Sequence, residues 1–432
     1  MICSYKGFIF HGQGQNSIAE NIVSLFVLHG ANYLLPLITV PYLVRVLGPE
    51  NFGRVAFAQA FIQFFVILSD YGFNLSATRS VAQVRDDHEA LSRLASAVML
   101  VKVVLMVSGF IIMLSIIFVV PAWRVDWTLY VWMYFMVVGN VLFPAWLFQG
   151  LERMRHIAVF TILSRLMVVI AIFSLVQHAS DYRLAAALHA CGTVLAGLFA
   201  LAFLRHVASI RWHWPGFLEL RLVVADGWHV FLSTVSITLY TNSNIFLLGL
   251  ITNPTMVGYF AAAEKIVKAV QELLGPVSQS VFPYIANLSE HSREATLTFI
   301  ARLLRWQGAC TLFLSVLLFC IAEPLVVLLL GSSFVPSVHV LQWLAPLPFV
   351  VGLSNVFGIQ TMLNFGMKQL FSHILLVSGL VNVALIVPLV HWFGVPGAAI
   401  SVLLTEITVT LLMVIFLARH GIMQHITTLK AT

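Results

Sequence analysis

Residues 103–120 read VVLMVSGFIIMLSIIFVV, eighteen positions without one charged side chain. At 1.5 Å per residue, such a run is nearly long enough to cross about 30 Å of hydrocarbon as a helix. A helix satisfies its own backbone hydrogen bonds, as a segment in lipid must, and the alternating pattern of a membrane β-barrel is missing from the sequence. The run is therefore predicted to belong to a transmembrane helix near residues 94–120.

The whole chain is also rich in apolar residues and poor in charged ones. Of its 432 residues, 60% are hydrophobic and only 9% are charged, against roughly 25% charged residues in soluble domains. This composition excludes a soluble globular protein and predicts an all-α polytopic membrane protein with about 12 transmembrane helices. The predicted spans are 20–44, 52–71, 94–120, 127–149, 157–177, 183–204, 228–251, 257–285, 300–321, 340–363, 371–391 and 398–418. We expect the first span to act as an uncleaved signal, since no small-residue cleavage site accompanies it.

The basic residues are concentrated in every second loop. The loops that follow even-numbered spans contain Arg79, Arg85, Arg93, Arg153, Arg155, Arg205, Arg211, Arg221, Arg293, Arg302, Lys368 and Arg419. The opposite loops hold only Arg45, Arg54, Arg124 and Arg183. By the positive-inside rule, the first set marks the cytoplasmic face and both termini are predicted to be cytoplasmic. Topology thus explains the net charge of +6 better than a nucleic-acid partner does, because no single basic stripe with interleaved aromatics is present.

The sequence also repeats itself between its two halves. The motif Pro49-x-x-x-Gly53, followed by two alanines, returns as Pro254-x-x-x-Gly258 with two alanines at the same offsets. Asn-Leu-Ser after span two returns after span eight, and a glutamine closes spans four and ten. Parallel repeats of this kind are a transporter architecture with the substrate site between the halves. They predict six-helix bundles at 1–204 and 228–432, joined by a basic cytoplasmic linker at 205–227.

Four motifs carry a resemblance to a known family. They are LGPENFG at 47–53, SDYGF at 69–73, WLFQGLE at 146–152 and GVPGAA at 394–399. With them, nearly the whole chain resembles the Wzx-type O-antigen and polysaccharide flippases. These form the polysaccharide biosynthesis protein family of the multidrug/oligosaccharidyl-lipid/polysaccharide exporter superfamily.

The resemblance implies a V-shaped bundle whose central cavity faces each side of the membrane in turn. The implied substrate is an oligosaccharide linked to undecaprenyl pyrophosphate, flipped from the cytoplasmic to the periplasmic leaflet of the bacterial inner membrane. A polysaccharide polymerase and a chain-length regulator become candidate partners beside the membrane lipids, and no cofactor is implied. The identity of the glycan, the coupling ion and the oligomeric state stay open.

Span eight contains four charges inside an apolar helix: Glu264, Lys265, Lys268 and Glu272. Each charge at mid-bilayer facing lipid would cost at least about 2.5–3.5 kcal/mol, so they must face protein or a water-filled cavity. One interpretation is a Glu-Lys-Glu ladder that holds the helix to its neighbours. The other is a cationic patch at Lys265 and Lys268 that receives the lipid pyrophosphate, with Glu264 and Glu272 as candidate proton sites.

Other polar residues inside spans extend the set of candidates. The further candidates for a substrate cavity are Asn32, Lys102, Arg165, Ser236, Tyr240 and Asn244. Asp70 and Glu406 are candidates for ion coupling or gating. Structural alternatives exist for each: snorkelling for the long cations, helix-to-helix hydrogen bonds for the uncharged residues, and a helix-terminus or buried neutral carboxyl for the acids.

No catalytic or metal site is predicted. The four cysteines, Cys3, Cys191, Cys310 and Cys320, have neither pairing nor metal spacing, and no paired carboxylates or nucleophile motif is found. A membrane-embedded polymerase or acyltransferase is therefore a weak alternative, and the chain is predicted not to be an enzyme. Closer alternatives are a cation-coupled multidrug exporter, which would need an acidic cavity, and a lipid II flippase, which generally has more than twelve helices.

Overall fold

The computed structural model describes residues 15–207 and 211–423, with side chains described for residues 38–204, 211–232, 234, 235, 238 and 243–423. The regular structure in these ranges is helical. The α-helices are α1 (Gln15–Asp70), α2 (Phe73–Val84), α3 (His88–Val119), α4 (Pro121–Arg124), α5 (Trp127–Leu142), α6 (Ala145–Gly150), α7 (Met154–Leu175), α8 (Tyr182–Val207), α9 (Phe217–Ile251), α10 (Pro254–Glu272), α11 (Gly275–His291), α12 (Arg293–Cys320), α13 (Ala322–Leu329), α14 (Ser337–Leu344), α15 (Leu347–Asn355), α16 (Lys368–Phe393) and α17 (Val395–Arg419).

The helices account for the twelve predicted spans. Nine segments in the described ranges are long and apolar enough to cross a membrane. The other three predicted spans are also helical: α1 before its kink at Gly48, α9, and the pair α10 and α11. Gly48 has a φ of 71°, which is accessible to glycine without steric cost. The chain therefore passes from span one to span two through a kink and not through a loop.

Three predicted spans are each divided into two helices by a break next to a proline. Span four breaks at Pro144, span eight after Glu272 and before Pro276, and span ten at Pro346. Proline has no backbone N–H and disfavours helical geometry at the preceding residue. Span ten also ends in a π-helical turn, Val356–Met362. The spans were placed correctly, but treating each as one continuous helix was wrong at these points.

The predicted linker is partly helical. Helix α9 begins at Phe217, so the second part of the segment 205–227 belongs to a helix. The residues before α9 are held on α3: the backbone N–H of Arg211 donates to Ser92 Oγ at 3.2 Å, and that of His213 to Ser96 Oγ at 3.1 Å. The division of the chain into two bundles at this linker stays a prediction.

The buried apolar residues form three cores. The largest, the shared core, lies at the predicted outer ends of helices from both halves, including α1, α5, α10 and α14. The N-terminal core lies near the predicted cytoplasmic face between α2, α3 and α6, and the C-terminal core lies there between α12, α16 and α17. The two parts of the chain therefore share one core at the predicted outer face and have separate cores at the opposite face, as in a V closed at one end. Helix α9 starts against the N-terminal core and packs farther along on α16.

Candidate functional site

Two of the cavities among the described residues share the helix α10. The N-terminal cavity has a volume of about 580 Å³ and lies between α1, α5, α7, α8 and α10. The C-terminal cavity has a volume of about 300 Å³ and lies between α9, α10, α15, α16 and α17. Helix α10 lines both, so the charged helix that the sequence singled out stands between the two cavities.

The charges on α10 point in different directions. Glu264 and Lys268 are four residues apart and share a helix face, whereas Lys265 is rotated about 100° from Glu264. Glu264 and Lys268 line the C-terminal cavity, and Lys265 lines the N-terminal cavity. The Nζ of Lys268 lies 3.1 Å from Oε1 of Glu264. The two lysines predicted to act together therefore belong to different cavities.

The N-terminal cavity is cationic. Arg165 from α7 and Lys265 from α10 both line it, and none of its described lining residues is acidic. Its polar lining consists of Thr39, Gln59, Gln63, Asn140, Thr161, Ser164, Arg165, His189, Thr193 and Lys265. The predicted cavity role of Arg165 thus has a place in the structure, beside amides and hydroxyls that can donate hydrogen bonds.

Three residues of this cavity were not candidates in the sequence. The Nε2 atoms of Gln59 and His189 lie 3.5 Å apart, and Gln63 follows Gln59 by one helical turn. The side chain of His189 is open to the cavity. The i, i+4 spacing of two glutamines inside an apolar span was a signal that could have identified this face.

Lys102 does not line either cavity. Its side chain is 1% exposed, and its Nζ lies 3.2 Å from Asp70 Oδ1 and 3.5 Å from Asn140 Oδ1. Asp70 is the last residue of α1, directly before Tyr71 and Gly72, whose positive φ values of 47° and 76° separate α1 from α2. The structure therefore pairs a predicted cavity cation with a predicted gating acid inside the N-terminal half.

The C-terminal cavity contains both signs of charge. Glu264, Lys268 and Glu406 line it, while Glu272, the last residue of α10, is exposed and lies outside its lining. Of the predicted Glu-Lys-Glu ladder, Glu264 and Lys268 thus line the cavity and Glu272 does not. With Glu264 and Lys268 in contact, this cavity is partly self-neutralised.

Amides and hydroxyls complete the C-terminal cavity. The Nδ2 of Asn382 donates to Thr405 Oγ1 at 3.1 Å and to Ser401 Oγ at 3.3 Å. The hydroxyl of Thr405 donates to the carbonyl of Ser401, which fixes the orientation of the amide. In the described part of the chain, Oδ1 of Asn382 and Oδ1 of buried Asn244 have no hydrogen-bond donor. Both oxygens are buried, so they are unpaired acceptors that a ligand does not reach in this conformation.

Three predicted candidates cannot be placed by their side chains. Ser236 and Tyr240 lie on α9 and Asn32 lies on α1, but their side chains are outside the described residues. Asn244, the fourth uncharged candidate, is 3% exposed and lines the C-terminal cavity.

A cluster of charges closes the outer ends of the N-terminal half. Asp126 accepts hydrogen bonds from Arg54 at 2.9 Å, Arg183 at 2.8 Å and the hydroxyl of Tyr182 at 2.7 Å. Burial acts to raise the pKa of Asp126, but the hydrogen bonds from Arg183 and Tyr182 and the charge of Arg54 outweigh it and lower that pKa below its usual value. The position of Arg54 near a helix end predicts that its side chain snorkels to the interface. The structure shows it in an ion cluster with Asp126.

Comparisons with known proteins agree with this architecture. The sequence pattern of the family described as "Polysaccharide biosynthesis protein" matches residues 18–289. The chain belongs to this family. The predicted resemblance is therefore confirmed.

Two relatives of this family member carry the name "Putative O-antigen transporter". One, from Escherichia coli (strain K12), is 38% identical over 94% of this chain and 98% of its own length. The other, from Shigella dysenteriae, is 29% identical over 91% and 98%. These are transporter names, in agreement with the prediction that this polysaccharide biosynthesis family protein is not an enzyme.

Solved structures share the fold of this family member. "Lipid II flippase MurJ, inward closed conformation" superposes with a TM-score of 0.72 at 12% identity, covering 94% of this chain and 90% of the other. An inward-facing multidrug resistance MATE family transporter of the MOP superfamily superposes with a TM-score of 0.66 at 14% identity, covering 92% and 96%. The predicted all-α, polytopic transporter fold is confirmed.

Proposed function

We propose that this protein translocates an O-antigen or related surface-polysaccharide repeat unit, carried on undecaprenyl pyrophosphate, across the bacterial inner membrane. It moves the unit from the cytoplasmic to the periplasmic leaflet by alternating access. Membership of the polysaccharide biosynthesis protein family and the names of its relatives in Escherichia coli and Shigella dysenteriae support this substrate class.

The cationic N-terminal cavity is the observation that carries the proposal. A pyrophosphate that leaves water for a low-dielectric interior needs compensating positive charge, because an isolated buried ion costs many kcal/mol. Arg165 and Lys265 supply two cations, from α7 and α10, in a cavity without an acid in its described lining. Arg can bind phosphate oxygens bidentately, whereas Lys is a mobile point charge that releases its partner readily.

The C-terminal cavity suits the sugar part of the substrate. The amides and hydroxyls of its lining can bind sugar hydroxyls. Its charges do not favour an anion, because Glu264 already pairs with Lys268 and Glu406 adds a second carboxylate. We therefore assign the pyrophosphate to the N-terminal cavity and give Lys265, not Lys268, the principal role.

Ion coupling is a separate part of the proposal. Glu264 and Glu406, in the C-terminal cavity, and Asp70, paired with Lys102, are the acids in the described helices that can exchange a proton with a neighbouring charge or cavity. Glu272, at the exposed end of α10, stays a weaker candidate.

The test is export of surface glycan in cells that lack their own flippase for the same repeat unit. Lys265→Ala should reduce the glycan ladder on gels and leave the lipid-linked repeat unit in the cytoplasmic leaflet. Lys265→Arg should retain part of the activity, because it keeps the charge. The matched control is Lys268→Ala, one turn away on the same helix and already neutralised.

Normal export by a well-inserted Arg165→Ala/Lys265→Ala double variant would disprove the assignment of the pyrophosphate. Failure of the wild-type protein to restore any export of a lipid-linked glycan would disprove the function itself. A cation-coupled drug exporter would bind cationic drugs at acids, and of the two cavities the C-terminal one has acids, Glu264 and Glu406, in its described lining.

A further inference from the structure

Two glycines bring the backbones of α1 and α10 into direct contact near the outer face. A Cβ placed on Gly53 would lie 1.7 Å from the carbonyl oxygen of Pro254, and one on Gly258 would lie 2.0 Å from that of Pro49. The contact is reciprocal, because the proline of each motif meets the glycine of the other. These are the two copies of Pro-x-x-x-Gly that identified the sequence repeat, so the repeated motif packs against itself.

Only glycine is compatible with this crossing. Nonbonded heavy atoms settle near 3.5–4.0 Å, so a Cβ at either position would force the backbones roughly 1.5–2 Å apart. The atoms in the way belong to the backbone and cannot rotate aside. Small residues play this part wherever membrane helices approach closely.

The crossing lies between the N-terminal cavity and the outer face. Phe52, next to Gly53, lines that cavity, and its ring centre is 6.4 Å from that of Phe334 in the loop before α14. The same Phe334 ring lies 5.9 Å from Tyr259, next to Gly258. On α1, the guanidinium of Arg45 donates to the carbonyls of Leu328 and Leu329. The contacts of Phe52 with Phe334 and of Arg45 with Leu328 and Leu329 join the N-terminal to the C-terminal half, so the outer ends are closed over the cavity.

We propose that the reciprocal crossing of Pro49–Gly53 with Pro254–Gly258 is the outer gate of the transporter. This inference rests on the proposed function, since a gate matters only if a substrate must leave through the outer face. The crossing joins α1 to α10 by backbone contact, and Phe334 packs against both helices through Phe52 and Tyr259. Each helix contributes one copy of the repeated motif, so the gate opens where the two copies separate.

Accessibility of a buried residue under the crossing tests the gate. Ala262 is one turn from Gly258 on α10 and fully buried, so Ala262→Cys is the reporter in a chain whose native cysteines are replaced by serine. A membrane-impermeant maleimide is added from the periplasmic side. Gly53→Ala and Gly258→Ala should each raise the labelling rate at least tenfold and reduce glycan export. Gly308→Ala is the matched control, because a Cβ there meets its nearest neighbour at 3.7 Å.

The double variant distinguishes loss of one shared contact from two independent structural defects. Since either alanine already holds the helices apart, Gly53→Ala/Gly258→Ala should raise labelling no further than one substitution does. Two independent structural defects would instead add. Equal effects of the two single variants are also expected, because each contributes the same contact from its own repeat.

Cross-linking tests the gate without changing a glycine. Phe52→Cys and Phe334→Cys, joined by a short cleavable bis-maleimide, should keep the outer ends closed. Export should stop after cross-linking and return when the linker is cleaved, and the reagent should not change export by the Phe334→Cys single variant. This measurement decides the matter if the alanine variants fail to accumulate in the membrane.

Two outcomes would overturn the gate: unchanged labelling and export in both single glycine variants, or undiminished export by the cross-linked protein. The labelling assay needs no substrate. If the wild-type protein exports no lipid-linked glycan, the proposed function fails, while the labelling rates still report whether the crossing closes the outer face.

Discussion

The two cavities on either side of α10 differ in charge. In the N-terminal half, the described acids lie away from the cavity: Asp70 pairs with Lys102, and Asp126 is held by Arg54 and Arg183. In the C-terminal half, Glu264 and Glu406 line the cavity itself. One cavity thus has cations and no acid in its described lining, and the other has both signs of charge.

The difference in charge depends on where the acids lie, which is away from the N-terminal cavity but in the lining of the C-terminal cavity. A cation remains available to a substrate anion only if no fixed carboxylate competes for it. The N-terminal cavity, which Arg165 and Lys265 line, has no acid in its described lining, whereas Lys268 in the C-terminal cavity has a carboxylate at 3.1 Å. The following predictions test this asymmetry, beginning with the largest expected effect.

Removal of both N-terminal cations should abolish transport. Loss of a buried charged contact costs about 2–5 kcal/mol, which corresponds to roughly 30-fold or more in rate or affinity at about 1.36 kcal/mol per tenfold. We expect Arg165→Ala/Lys265→Ala to leave no detectable surface glycan while the protein remains inserted. Gel ladders of surface glycan and immunoblots of the membrane fraction measure the two quantities in the same cells.

The buried pair of the N-terminal half should be required for stability. Lys102→Met leaves the Asp70 carboxylate without its cation, and breaking a buried pair in this way costs about 3–5 kcal/mol. The abundance and thermal unfolding temperature of the variant in detergent should fall. Lys102→Met/Asp70→Asn should recover most of the loss, because it removes both charges. Equal stability of the single variant and the wild type would show that Asp70 is neutral or solvated.

The sequence predicted the fold far better than the placement of these charges. Apolar runs and loop charges identified the spans, because lipid imposes the same length and polarity on each helix. The direction of Lys265 could not be read from the sequence. The spacing showed that Glu264 and Lys268 share a face, but the rotation of α10 relative to its neighbours depends on tertiary packing.

The distant partners of charged residues could not be predicted from the sequence either. Lys102 was predicted in a cavity because it lies inside an apolar span, and Asp70 was interpreted by itself at a helix end. Their pairing requires that α1 and α3 pack with these positions at equal depth. By contrast, the repeated Pro-x-x-x-Gly motif was visible in the sequence, and only its reciprocal contact required the structure.

The outer ion cluster should stabilise the N-terminal half in a pH-dependent way. The pKa of Asp126 is lowered in the folded protein, so its contribution is present above the unfolded pKa of about 4 and disappears as pH falls through the folded value. Asp126→Asn should lower stability by about 1.5–3 kcal/mol near pH 7, the range of hydrogen bonds to charged groups. Thermal unfolding between pH 3 and 7 should show the two proteins converging at the acidic end. A constant difference across this range would mean that the Asp126 carboxylate is not the source.

The smallest effect is expected from the ion pair of the C-terminal cavity. The Lys268 side chain is 44% exposed, so solvent screening limits the pair to about 0–1 kcal/mol. Lys268→Ala should therefore change the unfolding temperature little, and export should fall far less than in Lys265→Ala. The double variant Glu264→Gln/Lys268→Ala separates the two possible roles of the pair. If Lys268→Ala leaves Glu264 as a free carboxylate that repels the substrate anion, then Glu264→Gln should restore the small loss. If instead Lys268→Ala alone abolishes export and Lys265→Ala has no effect, the pyrophosphate binds in the C-terminal cavity, and the assignment of roles to the two cavities must be reversed.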